Sequence, residues 1–196
     1  KMAKAMGVTV IATDRNPNAV GFKYCDHKVT LDTKDVEGHV RFALENSESL
    51  NIKAAFAGSD CAVTVSAITN ALKLPGIPLD VAKRSNNKAL MKERWIRDKI
   101  PTPFGGEVTT INEAKSIIKH IGFPAMIKAV DNAASRGSMK IKSLDQLDDA
   151  IVNAKEFSMT GTALVEEYIT GSEQSVETII WNGRHYHIGM ADRVFG

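Results

Sequence analysis

The sequence predicts an α/β protein in two unlike parts, a parallel-sheet region over residues 1–85 and an α+β region over residues 86–196. Three observations point there. Up to residue 85, short β-branched and apolar runs alternate with stretches of helical spacing, the pattern of strand–helix units around a parallel sheet. Beyond it, strand-like runs follow one another closely, with Asn182-Gly183 as a strong hairpin signal and capping boxes opening the helices between. The composition, 43% hydrophobic and 24% charged over 196 residues, suits a packed core without cross-links.

In chain order, residues 1–7 read as the last turns of a helix closed by Gly7. That helix has no opening, so the sequence is expected to be part of a longer polypeptide whose first strand is missing. Residues 8–12 are apolar and β-branched, as a buried parallel strand is. Asp14-Arg15-Asn16-Pro17-Asn18 is a turn. Residues 28–31 read as a short strand. Residues 35–48 carry Val36, Val40, Ala43 and Leu44 at helical spacing. Residues 54–57 read as a strand ending at Gly58. Ser59-Asp60 is placed to cap a helix with Ala62, Val65, Ile68 and Leu72 on its inner face, and Leu74-Pro75-Gly76 ends it.

In the second part, residues 87–98 form a helix with Leu90, Met91 and Trp95 inward, broken by Ile100-Pro101-Thr102-Pro103. Thr110 and Glu113 make a capping box for a helix that stops near Gly122. Residues 123–129 form a strand with Pro124 at its start, where proline is tolerated, and residues 139–142 a returning strand. Ser143 and Gln146 suggest a second capping box, for a helix to about residue 157. Strands are expected over 163–169, 175–181 and 185–190.

Charge narrows the function classes. The 25 basic and 23 acidic side chains are interspersed, which argues against a dedicated nucleic-acid or membrane surface. No run approaches the roughly 18 apolar residues of a membrane span. Cys25 and Cys61, far apart and outside any C-x-x-C, read as reduced thiols of a cytoplasmic protein. Neither has the basic neighbour of a nucleophile.

Two places carry chemistry. Lys128 ends an otherwise apolar strand, and a buried ammonium needs a compensating anion. The following loop, residues 131–138, is small and polar. Its backbone N–H groups suit phosphate oxygens, with Ser135, Arg136, Gly137 and Ser138 assisting; read alone, the stretch also fits a surface hairpin with a snorkelling lysine. No G-x-x-x-x-G-K-[ST] pattern occurs. Secondly, in Leu164-Val165-Glu166-Glu167-Tyr168-Ile169 the Glu167 carbonyl and the Ile169 N–H share one strand edge and match the N6-amino and N1 edge of adenine. Glu173, past the Gly171 turn, suits two ribose hydroxyls. Read alone, this stretch also fits an acidic strand edge that discourages aggregation. His185 and His187 share a strand face but have no third ligand nearby. Asp14 follows a strand without the glycine fingerprint of a dinucleotide fold.

Taken together, Ser85 to Lys92, Pro124 to Lys128, the small-residue loop, Val165 to Ile169 and Gly171-Ser172-Glu173 resemble the ATP-grasp superfamily. The nearest likeness is to the biotin carboxylase and carbamoyl-phosphate synthetase branch and to carboxylate–amine ligases. Residues 7–17 and Leu74-Pro75-Gly76 resemble the Rossmann-like domain that precedes ATP-grasp in that branch. The resemblance implies a pre-ATP-grasp domain over residues 1–85 and the N-terminal part of an ATP-grasp domain over 86–196, with the nucleotide-covering lid at about 123–190. It implies that Lys88 and Lys128 contact ATP phosphates, that residues 131–138 form the flap, that Glu166, Glu167 and Ile169 make the adenine hinge and that Glu173 holds the ribose. Ala133 and Ala134 stand where biotin carboxylases have glycine. The implied activity is ATP-dependent carboxylate–amine or carboxylate–thiol ligation through an acyl phosphate, with Mg²⁺ ligands expected beyond residue 196 and none in this segment. Small carboxylate and amine substrates and a homodimer accompany that reading. The alternatives are a non-catalytic adenine-nucleotide-binding module, a biotin carboxylase-type carboxylation and, more remotely, an NAD-dependent oxidoreductase.

Overall fold

The computed structural model describes residues 2–58 and 61–194. Lys1, the Ser59-Asp60 cap and the terminal Phe195-Gly196 lie outside the described residues. Helix α1 (Met2–Ala5) leads into Gly7 at φ 76°, the expected glycine stop. Strand β1 (Ile11–Asp14) pairs in parallel with β2 (His27–Thr30). In the turn after β1, the Asp14 and Asn16 side chains accept from the N–H groups of Asn16 (2.8 Å) and Asn18 (2.9 Å), the local bonding that makes Asx residues turn formers.

Helix α2 (Val36–Asn46) begins at Asp35, whose carboxylate accepts from Gly38 N–H at 2.8 Å. It buries His39 and Ala43 rather than Leu44. The strand expected over 54–57 does not form. These residues join no ladder, and Phe56 is 91% exposed. Strand propensity needs a partner edge to become a strand, and nothing among the described residues supplies one there.

Helix α3 (Ala62–Ala71) turns inward its hydroxyls, Thr64, Ser66 and Thr69, not the expected Val65 and Ile68. Thr64 donates to Thr33 O and Ser66 to Ile77 O, each at 2.7 Å, so burial leaves neither unsatisfied. No helix is expected over 79–86, yet α4 (Leu79–Asn86) forms there and buries only Ala82. Helix α5 (Lys88–Arg97) is capped by the Asn87 side chain, which accepts from Ala89 and Leu90 N–H. Its buried residues are Ala89 and Lys92; Leu90 and Trp95, expected inward, are each 38% exposed.

The main sheet is antiparallel, ordered β3 (Gly105–Val108), β6 (Ala163–Glu167), β4 (Ala125–Ala129), β5 (Ser138–Ile141). One face carries Ala125, Ile127, Ile141 and Val165. It packs on Ala114 and Ile118 of α6 (Ile111–Ile121) and on Leu147, Ala150, Ile151 and Ala154 of α7 (Leu147–Glu156). The Thr110–Glu113 capping box forms as expected. The second does not: Ser143 makes no side-chain cap and Leu144–Gln146 is a 3₁₀ turn, although the Gln146 side chain accepts from Lys142 N–H at 2.7 Å. Strand β3 escapes a sequence reading because Gly105-Gly106 has poor strand propensity. Gly105 is needed there: its φ is 149°, and a Cβ would lie 2.1 Å from Val165 O. A hairpin, β7 (Glu173–Trp181) and β8 (Arg184–Arg193), turns through Asn182 (φ 48°) and Gly183 (φ 73°), and its strands are exposed almost throughout. Among the described residues no helix is long and apolar enough to cross a membrane.

Candidate functional site

Strand alternation fills one face of the main sheet with apolar side chains. It places Lys128, Met126, Glu166, Leu164 and Lys140 on the other face. Helix α5 covers part of that second face, with Ala89 packed beside Val130 and Leu164. Here Lys92 and Lys128 share the Glu166 carboxylate. Lys92 Nζ lies 3.1 Å from Oε2, and Lys128 Nζ pairs with Oε1. Lys92 also donates to Thr102 Oγ1 at 3.3 Å and to the Pro103 carbonyl.

The side chains of Lys92 and Glu166 are 4% and 8% exposed, that of Lys128 28%. The anion expected opposite Lys128 is therefore first of all protein. Burying an ammonium costs several kcal/mol unless a carboxylate and further hydrogen bonds offset it, and Glu166, Thr102 and Pro103 do so for Lys92. Two ammonium groups on one carboxylate leave a formal positive excess. It sits on the side of Lys128, where the cluster is open, and suits an incoming anion.

The loop after β4 is a tight turn, with the Arg136 and Ser138 N–H groups donating to Ala133 O and Ser135 O. Ala134 (φ 56°), Ser135 (φ 58°) and Gly137 (φ 69°) are all left-handed, a geometry that gathers successive N–H groups on one concave side. Gly137 is also sterically required, since a Cβ would lie 2.7 Å from Phe157 Cβ. Arg136 turns back on the loop, its Nε donating to Ala133 O at 3.3 Å. Ser138 opens β5 opposite Lys128.

The structure redistributes several expected roles. The Lys88 ammonium donates to the carbonyls of Ala129 (3.1 Å) and Asn132, and the Lys88 N–H to Val130 O at 2.7 Å. These bonds fasten α5 to the base of the loop. Glu166 is an ion-pair partner inside the sheet and not a hinge edge, because β6 is flanked on both sides, by β3 and β4. Glu167 is engaged too: its N–H donates to Phe104 O at 2.9 Å and its carboxylate accepts from Phe104 N–H at 2.6 Å. The ladder ends there, and Ile169 is 60% exposed just beyond it. Between them Tyr168 lies under Lys140, whose Nζ is 3.6 Å from the ring centroid, a cation–π contact. Glu173 pairs with Arg193 across the hairpin. His185 and His187 are exposed on β8, and among the described residues no three His, Cys, Asp or Glu side chains converge to hold a metal ion.

Lys92 is the residue a sequence reading passes over. Its signal was position: it lies three residues after Ala89, on the narrow small-residue stripe of α5 that closes on the sheet. Ranking by hydrophobicity turns Leu90 and Trp95 inward instead and hides that stripe.

Known proteins resemble this chain in sequence and in fold. The family described as phosphoribosylglycinamide synthetase, ATP-grasp (A) domain, matches residues 86–193. A phosphoribosylamine–glycine ligase of Vibrio parahaemolyticus is 28% identical over 156 residues, covering 75% of this chain and 35% of the relative. An L-amino acid ligase from Bacillus licheniformis superposes with a TM-score of 0.78 at 17% identity, over 97% of this chain and 45% of that one. The biotin carboxylase–β,γ-ATP complex from Campylobacter jejuni gives 0.72 at 22% identity, over 97% and 47%. The chain thus spans about a third of the curated relative and just under half of the two solved structures.

Proposed function

Since the chain belongs to the ATP-grasp family of phosphoribosylglycinamide synthetase A domains, we propose that it holds the nucleotide of an ATP-dependent carboxylate–amine or carboxylate–thiol ligase. The observation that carries the reading is the Lys92–Glu166–Lys128 cluster, open only on its Lys128 side and beside a loop with three left-handed residues. In this reading Lys128 and the N–H groups of Ala134, Ser135 and Gly137 take phosphate oxygens. Lys92 holds Glu166 in place, and the chain just past Glu167 offers Ile169 to the base. Glu173 reaches a ribose by releasing Arg193. The division near residue 85, the lid over about 123–190, small carboxylate and amine substrates, a homodimer and a cytoplasmic setting belong to the same proposal.

ATP held by Lys128 and the loop would supply a γ-phosphoryl group to a carboxylate, and a nucleophile bonding to the acyl carbon would then expel that group as inorganic phosphate. The chain's own part is electrostatic and positional: cations and oriented dipoles offset the charge that spreads over the transferring group, and the loop keeps water from it. Among the described residues no three His, Cys, Asp or Glu side chains gather to hold a metal ion, so no step is assigned to magnesium. The test is a nucleotide titration of the chain and of Lys128→Met. ATP affinity is expected to fall at least about tenfold, which is roughly 1.4 kcal/mol, with the fold intact by circular dichroism. Unchanged affinity in the variant overturns the reading.

A further inference from the structure

The base of the 131–138 loop is held far more firmly than its tip. The Asp131 carboxylate accepts two backbone N–H groups from the connection between α7 and β6, that of Met159 on Oδ1 and that of Thr160 on Oδ2, both at 3.0 Å. Asn132 Nδ2 donates to Phe157 O at 2.8 Å, and the Asn132 carbonyl accepts from Lys88. The connection is itself braced: Ser158, Thr160 and Thr162 hydroxyls follow one another at 3.0 Å, and Thr162 donates to the Glu107 carboxylate on β3. A chain of hydrogen bonds therefore runs from β3 to the residue that starts the loop. The tip closes mainly on itself, through Arg136 N–H to Ala133 O at 3.3 Å and Ser138 N–H to Ser135 O at 3.1 Å.

We infer that Asp131 is a positioning residue for nucleotide phosphates, an inference that rests on the nucleotide reading above. It touches no phosphate. By taking two fixed N–H donors it sets the direction in which the left-handed tip presents its own, and a misdirected tip loses charge-assisted bonds of short reach. An ionised carboxylate is required, because it offers an acceptor to each donor. Asparagine at this position would satisfy one N–H and turn an amide donor against the other.

The experiment compares ATP with adenosine on the 196-residue chain, because the loop acts on phosphates and not on the base. Asp131→Asn is expected to weaken ATP binding roughly tenfold while adenosine affinity stays unchanged. Thr162→Val, which cuts the chain of hydrogen bonds at its far end, is expected to weaken ATP in the same direction by less. Equal losses for ATP and adenosine in Asp131→Asn mark a merely structural role and overturn the inference, as does an unchanged ATP affinity. If Asp131→Asn does not fold, Thr162→Val decides: loss of ATP alone supports the inference, and parallel or absent losses overturn it. A wild-type chain that takes up no ATP overturns the nucleotide reading itself and the inference with it.

Discussion

Glu166 is flanked by two ammonium groups, and the three side chains differ in what their removal leaves behind. Glu166→Ala strands Lys92 in the interior with only Thr102 and Pro103 as partners. The expected loss is about 3–5 kcal/mol, the usual cost of breaking a buried pair from one side, read from urea unfolding. Lys92→Met removes a buried cation yet leaves Glu166 paired with the more open Lys128, so it should cost less than Glu166→Ala. A Glu166→Ala protein as stable as wild type would show that the cluster is not buried as described. Gly105→Ala acts through sterics alone. Its Cβ meets Val165 O at 2.1 Å on a backbone at φ 149°, so about 2 kcal/mol or more should be lost, with β3 the strand displaced. Lys128 was legible from sequence because an ammonium inside an apolar run demands a partner. Lys92 was not, since its burial depends on which stripe of α5 faces the sheet.

At the scale of elements, α6 is the best-specified piece of the chain. The Glu113 carboxyl is held below its usual range by the N–H of Thr109, then by those of Thr110 and the Thr109 hydroxyl. A folded-state pKa below the unfolded one, about 4.3 for glutamate, means a stabilisation that is complete above that value. It is lost as pH falls through the lower folded value. Glu113→Gln should therefore flatten the acid side of the stability curve, measured by thermal melts between pH 6 and about 3; an unaltered acid limb refutes the assignment. Thr110→Ala should cost about 1 kcal/mol at neutral pH, the usual worth of such a cap. Caps of this kind are local, which is why the Thr110–Glu113 box was legible in the sequence. The strand expected over 54–57 shows the opposite case, for a ladder depends on residues elsewhere.

Over the whole molecule, stability is unevenly spread. The apolar face of the main sheet is closed by α6 and α7, whereas the β7–β8 hairpin leaves Ile180, Trp181, Ile188 and Met190 each at least 60% exposed. Two strands without a covering layer are marginal. Hydrogen exchange should therefore rank the amides of Ile127 and Val165 slowest and those of the hairpin fastest; comparable protection in both would mean the hairpin is covered in solution. The presence of both parallel and antiparallel pairing, the order of helices and strands beyond residue 105 other than β3, and the Asn182-Gly183 turn follow from the sequence by itself, because periodicity, caps and turn residues act over a few positions. Only the tertiary structure decided that β6 is an inner strand, that Lys88 braces a loop and that Lys92 and Lys128 meet on Glu166. Those facts depend on strand order and on which helix face closes on the sheet, and both are settled by contacts between residues tens of positions apart.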